Sequence, residues 1–141
     1  MGKARSDKAM KASVVISTGG AEIKKELYQF FLEMGYEVGF EELETSTVLK
    51  LVESSIDLLI VDIRQSDEHV LTLLGVLRET IPDLTIITIL DQDVSMDYMR
   101  SICELGVFYC LMKPLDMQEF EDIIDAFERR KILVTNVVQY Q

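Results

Sequence analysis

From Ser13 onward the chain alternates short runs of consecutive apolar residues with longer stretches in which apolar residues recur every three or four positions. The runs are "SVVIS" (13–17), "EVGFEE" (37–42), "DLLIVD" (57–62), "LTIITIL" (84–90) and "VFYCLM" (107–112). Each is rich in β-branched or aromatic residues and bounded by polar breaks, the pattern of a strand. Three of the runs are apolar at nearly every position, so burial on both faces is expected, as in a parallel sheet covered by helices.

The intervening stretches predict five helices. In the first, Ile23, Leu27, Phe30, Phe31 and Met34 share one face, with Lys24, Lys25 and Glu26 opposite, and Gly35 follows as a C-cap. Val48, Leu51 and Val52 mark a second after the cap candidates Thr45 and Ser46. Val70, Leu73, Leu74 and Leu77 mark a third that ends near Pro82. Met99, Ile102 and Cys103 line a fourth closed by Gly106. Asp116 and Glu119, spaced as a capping box, open a fifth that buries Phe120, Ile123, Ile124 and Phe127.

Five strand-helix repeats with short connections predict an α/β, doubly wound fold: a five-stranded parallel sheet between two helical layers, a three-layer sandwich. The expected organisation is a basic flexible tail over 1–12, one domain over 13–130, and an extension over 131–141 that forms either an extra strand or a linker. At 141 residues with 48% hydrophobic residues the chain suffices for one core.

Charge narrows the function classes. A formal net charge of -11 argues against a nucleic-acid surface, because phosphate binding requires clustered cations. Only the first residues run the other way, with Lys3, Arg5, Lys8 and Lys11 against Asp7. No apolar run is long enough to span a bilayer and no signal-peptide pattern opens the chain, so a cytoplasmic protein without membrane contact is expected. Cys103 and Cys110 lack metal-ligand spacing and are read as reduced core thiols. His69, the single histidine, is read as a surface residue, and no Ser/His/Asp arrangement is present, so the chain is not expected to be an enzyme.

The candidate chemistry lies at strand ends. Asp62 ends the third apolar run, and "MKP" (112–114) ends the fifth, with Gly106 seven residues before Lys113. With five strand-helix units, this pattern resembles the receiver domain of bacterial two-component response regulators, the CheY-like superfamily, over roughly 13 to 130. The resemblance implies that Asp62 is the phosphoacceptor candidate, that Lys113 contacts the phosphoryl group, and that the bond to Pro114 is cis. It also implies Mg²⁺ held by an acidic pair after the first strand, a hydroxyl after the fourth, and a switching aromatic on the fifth. Here those places read Thr18 and Gly19, Asp91, and Cys110.

A magnesium ion prefers hard oxygen ligands. Replacement of the acidic pair therefore predicts weak or absent Mg²⁺ and no metal site, Asp62 and Asp91 being the remaining weak candidates. Two readings of Asp62 stay open: a used phosphoacceptor, or an inherited or solvent-exposed strand cap with Lys113 as counter-ion to Asp62 and Asp91. Gly19-Gly20 reads as a tight turn or an anion cradle. The leading expectation is a signalling receiver of pseudo-receiver type, independent of phosphorylation. It would contact a protein partner through the fourth helix, fifth strand and fifth helix, with a histidine kinase or a second copy as further partner classes. The alternatives are a conventional phosphorelay receiver using Asp62 and, in another class, a flavodoxin-like small-ligand domain binding at the strand ends.

Overall fold

The computed structural model describes residues 12–139, with side chains as far as Lys131. Strands β1 (Ser13–Ser17), β2 (Glu37–Phe40), β3 (Leu58–Ile63), β4 (Thr85–Leu90) and β5 (Tyr109–Met112) alternate with helices α1 (Ala21–Glu33), α2 (Thr45–Glu53), α3 (Glu68–Thr80), α4 (Met96–Glu104) and α5 (Met117–Gln139). Every strand pair is parallel and the order is β2-β1-β3-β4-β5. This is the doubly wound sheet that the alternation predicts.

Strand periodicity splits the core into two layers. Val14, Ile16, Leu58, Ile60, Ile87, Ile89 and Leu111 face α1 and α5, where they meet Leu27, Phe31, Phe120 and Ile124. Val15, Leu59, Val61, Ile63, Ile86 and Leu90 face the other way, against Val48 and Leu51 of α2, Leu74 and Leu77 of α3, and Ile102 of α4. Both faces of β3 and β4 are thus covered, which is why their sequences show no polar alternation.

Helix ends follow local chemistry. Gly35 and Gly106 adopt φ of 85° and 81°, the left-handed conformation that closes α1 and α4. The Asp67 carboxylate accepts from the backbone N–H of His69 and Val70 at the start of α3, and Asp116 Oδ1 accepts from those of Gln118 and Glu119 at the start of α5.

Several expectations require correction. Strand β2 stops at Phe40, because the Glu42 carbonyl is taken by the Thr47 hydroxyl as the chain turns into α2. That helix is capped at Glu44 rather than Thr45 or Ser46, and Val52 is exposed. Strand β3 extends one residue beyond Asp62, since Ile63 pairs with Leu90. Cys103 is exposed rather than part of the core.

At the carboxyl end, the strand alternative for 131–141 is overturned as far as Gln139, because α5 continues through it. No glycine or proline interrupts the chain after Pro114, and Arg129, Arg130 and Lys131 are good helix formers. Lys131 also forms an ion pair with Asp57 at the foot of β3. The proposed tail, 1–12, lies outside the described residues except for Ala12. That residue is buried, and its carbonyl accepts from the Glu37 N–H at 3.0 Å. Among the described residues no helix is long and apolar enough to cross a membrane.

Candidate functional site at the carboxyl edge of the sheet

Alternation along the strands assembles the site. Thr18, Asp62, Asp91 and Lys113 continue the inward series of Ile16, Ile60, Ile89 and Leu111, so all four emerge on the face shared with α1 and α5. Register sets their heights. Ser17 pairs with Val61, which places Thr18 level with Asp62. Leu90 pairs with Met112, which places Asp91 level with Lys113. The strand order reverses between β1 and β3, and side chains converge at the carboxyl ends beside such a switch point.

The Asp62 side chain is only 1% exposed, so it is not a solvent-exposed strand cap. Both oxygens are engaged. Thr18 Oγ1 donates to Asp62 Oδ2 at 2.6 Å, and the Gly20 N–H donates to Thr18 Oγ1 at 3.0 Å, which directs the hydroxyl proton at the carboxylate. Lys113 Nζ lies 2.7 Å from Asp62 Oδ1, an ion pair whose angles miss hydrogen-bond geometry. The same ammonium stands 3.4 Å from Asp91 Oδ2. One lysine therefore bridges two acids, and burial around Asp62 makes that compensation matter more than it would in water.

Asp91 is held below the usual carboxylate range, first by the Asp93 backbone N–H, with Lys113 adding to this and partial burial opposing it. Its partner lysine is fixed in turn by the main chain: the Lys113 N–H donates to the Leu90 carbonyl, and the Lys113 carbonyl accepts from Gln92 Nε2. The Lys113-Pro114 peptide bond is cis.

The other residues near the strand ends take different places. Gly19 and Gly20 form a tight turn into α1, with the Gly20 N–H turned onto Thr18. Thr88 pairs with Cys110 and is wholly buried toward α3 and α4, the opposite side of the sheet from Asp62. Cys110 packs half-buried on that same side, while Tyr109 beside it is exposed and its hydroxyl reaches Glu119 at 3.4 Å. His69 is exposed in the first turn of α3.

One contributor, Arg64, is not among the candidates the sequence offers, and the role of another, Thr18, is not evident from it. Thr18 stands at a place where the resemblance implies a metal ligand, and its inward parity with Ile16 brings its hydroxyl onto Asp62 instead. Arg64, two residues beyond Asp62, crosses to the β1 loop, so that a Cβ on Gly19 would lie 3.2 Å from its Nη1. A cationic side chain thus stands beside the place where the resemblance implies acidic ligands.

No protein-family model matches the chain, and no curated protein matches it. Solved structures do. The REC domain of AraT, a response regulator from Geobacillus stearothermophilus, is 24% identical, with a TM-score of 0.73 over 89% of this chain and 99% of that one. A response regulator receiver protein from Pseudomonas putida is 22% identical, with a TM-score of 0.71 over 84% and 99%. The NtrC4 receiver domain, determined in solution as a beryllofluoride-activated dimer, is 23% identical, with a TM-score of 0.70 over 85% and 98%. The chain has the CheY-like receiver fold.

Proposed function

We propose that the chain is a signalling module of receiver type that contacts a protein partner without phosphorylation of Asp62. The observation that carries this reading is the closed arrangement around that residue, in which Thr18 and Lys113 occupy both carboxylate oxygens from within the chain. The residues present do not fit a magnesium ion. The β1 loop supplies a hydroxyl and a glycine instead of carboxylates, and the Arg64 guanidinium lies against that glycine. Asp62 and Asp91 share the Lys113 ammonium, so a divalent cation would have to displace it or be repelled by it.

A phosphoryl group shifts a two-state protein only through contacts that differ between the states. With Thr88 on the far side of the sheet and an acid at 91, Lys113 is the main contact left. Signalling then depends on a surface already in its binding form. The edge strand β5 is compatible with that role, since it exposes Tyr109 and Met112. The conventional reading, with Asp62 as phosphoacceptor in a phosphorelay, is favoured by the Lys113 contact and the cis bond to Pro114, both of which the receiver resemblance implies.

Magnesium titration tests the reading. The wild-type chain is expected to show no saturable Mg²⁺ binding across the millimolar range, whereas Thr18→Asp with Gly19→Asp should gain it. A Cβ at position 19 meets only the far end of Arg64, which can swing aside. Millimolar saturation in the wild type would overturn the reading, and failure of the double variant to gain affinity would show that the metal place was misassigned.

A further inference from the structure

The two cysteines meet on the other side of the sheet. Cys103 sits in the last turn of α4, exposed, and Cys110 is the second residue of β5, half-buried. They are seven residues apart in sequence, joined through the turn at Gly106, and their Sγ atoms stand 3.7 Å apart. That is sulfur-sulfur contact; a disulfide at about 2.05 Å would need a further approach of only about 1.7 Å. Among the described residues no group of three metal-ligating side chains forms, so this is a two-sulfur site rather than a metal cage.

The two thiols differ in a way that assigns their order. Burial pushes the Cys110 thiol up to about 11, with the Thr88 hydroxyl acting against it and the neighbouring Cys103 thiol adding to it, so it stays protonated at neutral pH. Cys103 is the more exposed of the two residues, so the approach from solvent is through it.

We propose that Cys103 and Cys110 form a modification site for hydroperoxides, in which Cys103 reacts first and Cys110 resolves it to an intramolecular disulfide between α4 and β5. The Cys103 thiolate attacks one peroxide oxygen and the O–O bond breaks. The departing hydroxide of hydrogen peroxide, or the alkoxide of an organic hydroperoxide, takes up the thiol's proton as water or alcohol, leaving Cys103 as the sulfenic acid. The Cys110 sulfur then attacks Cys103 Sγ, the S–O bond breaks, and the hydroxyl leaves with the Cys110 proton as water. The thiols lose two electrons and the peroxide gains them. Contact between the sulfurs in the reduced fold favours this closure over cross-linking of two chains, because the resolving thiol is present at high effective concentration. The inference does not rest on the reading of Asp62.

The test is hydrogen peroxide added to the full chain, followed by alkylation with N-ethylmaleimide and intact-mass measurement. Most of the protein should lose the mass of two hydrogens, resist alkylation at both cysteines, and regain two alkylation sites after dithiothreitol. Peptide mapping should link the segments holding Cys103 and Cys110. Cys103→Ser should leave Cys110 slow to oxidise, and Cys110→Ser should let Cys103 accumulate added oxygen. Oxygen addition without linkage in the wild type, a covalent dimer as the main product, or two thiols still alkylatable after exposure would each overturn the proposal.

Discussion

Phe31→Ala is expected to lower the unfolding free energy by about 4 kcal/mol, the range for removing a wholly buried ring whose surroundings cannot collapse. Phe31 is 0% exposed and stands at the centre of an aromatic group. Its ring centroid lies 5.1 Å from Phe30, 4.9 Å from Tyr36 and 5.7 Å from Phe120. It therefore ties α1 to the lead of β2 and to α5 at once. Tyr36 is pinned on its far side, where its hydroxyl donates to Glu128 Oε2 at 2.6 Å, and burial first, then Glu128, raises its pKa far above the ordinary tyrosine value. Neighbours fixed in this way leave a cavity rather than fill it. Against a domain stability of about 5 to 15 kcal/mol, such a loss is large. Urea unfolding should show a lower midpoint with an unchanged slope; a loss below about 1 kcal/mol would mean that the α1–α5 layer packs otherwise.

Lys113→Met is expected to cost about 3 kcal/mol, the low end for breaking a buried ion pair from one side, because the lysine keeps 19% exposure while Asp62 has 1%. The variant leaves Asp62 buried with Thr18 as its remaining polar contact among the described residues and removes the charge between it and Asp91. Adding Asp62→Asn should return much of the loss, since a neutral amide does not need the ammonium. A double-mutant cycle measures this coupling directly. Additive losses would contradict the account, for they would mean that Lys113 and Asp62 stabilise the fold separately.

Sequence patterning reached the sheet more completely than the site. The runs at 58–63 and 85–90 are short, β-branched and bounded by polar breaks, which identifies strands covered on both faces, and the five-fold alternation gives the element order. The carboxyl extension was harder, because "KILVTNVV" is apolar enough for a strand, and only its continuity with α5 resolves it. Asp62, Asp91 and Lys113 were legible because each closes an apolar run at a position of known parity. Thr18 and Arg64 were less so: a hydroxyl bond across the β1–β3 pair and a long side chain folding back over a glycine depend on register and rotamer, which no periodicity encodes. The proximity of Cys103 and Cys110 was hidden for the same reason, since it depends on how the Gly106 turn returns the chain to the sheet.

The central claim is that the carboxyl-edge site is closed by its own residues and does not take a phosphoryl group. Its most direct test is intact-mass measurement of the full chain after incubation with acetyl phosphate and Mg²⁺, run beside Asp62→Asn. The account predicts that neither protein gains the mass of a phosphoryl group. A phosphoryl adduct on the wild type that is absent from Asp62→Asn would contradict it and identify Asp62 as a working phosphoacceptor.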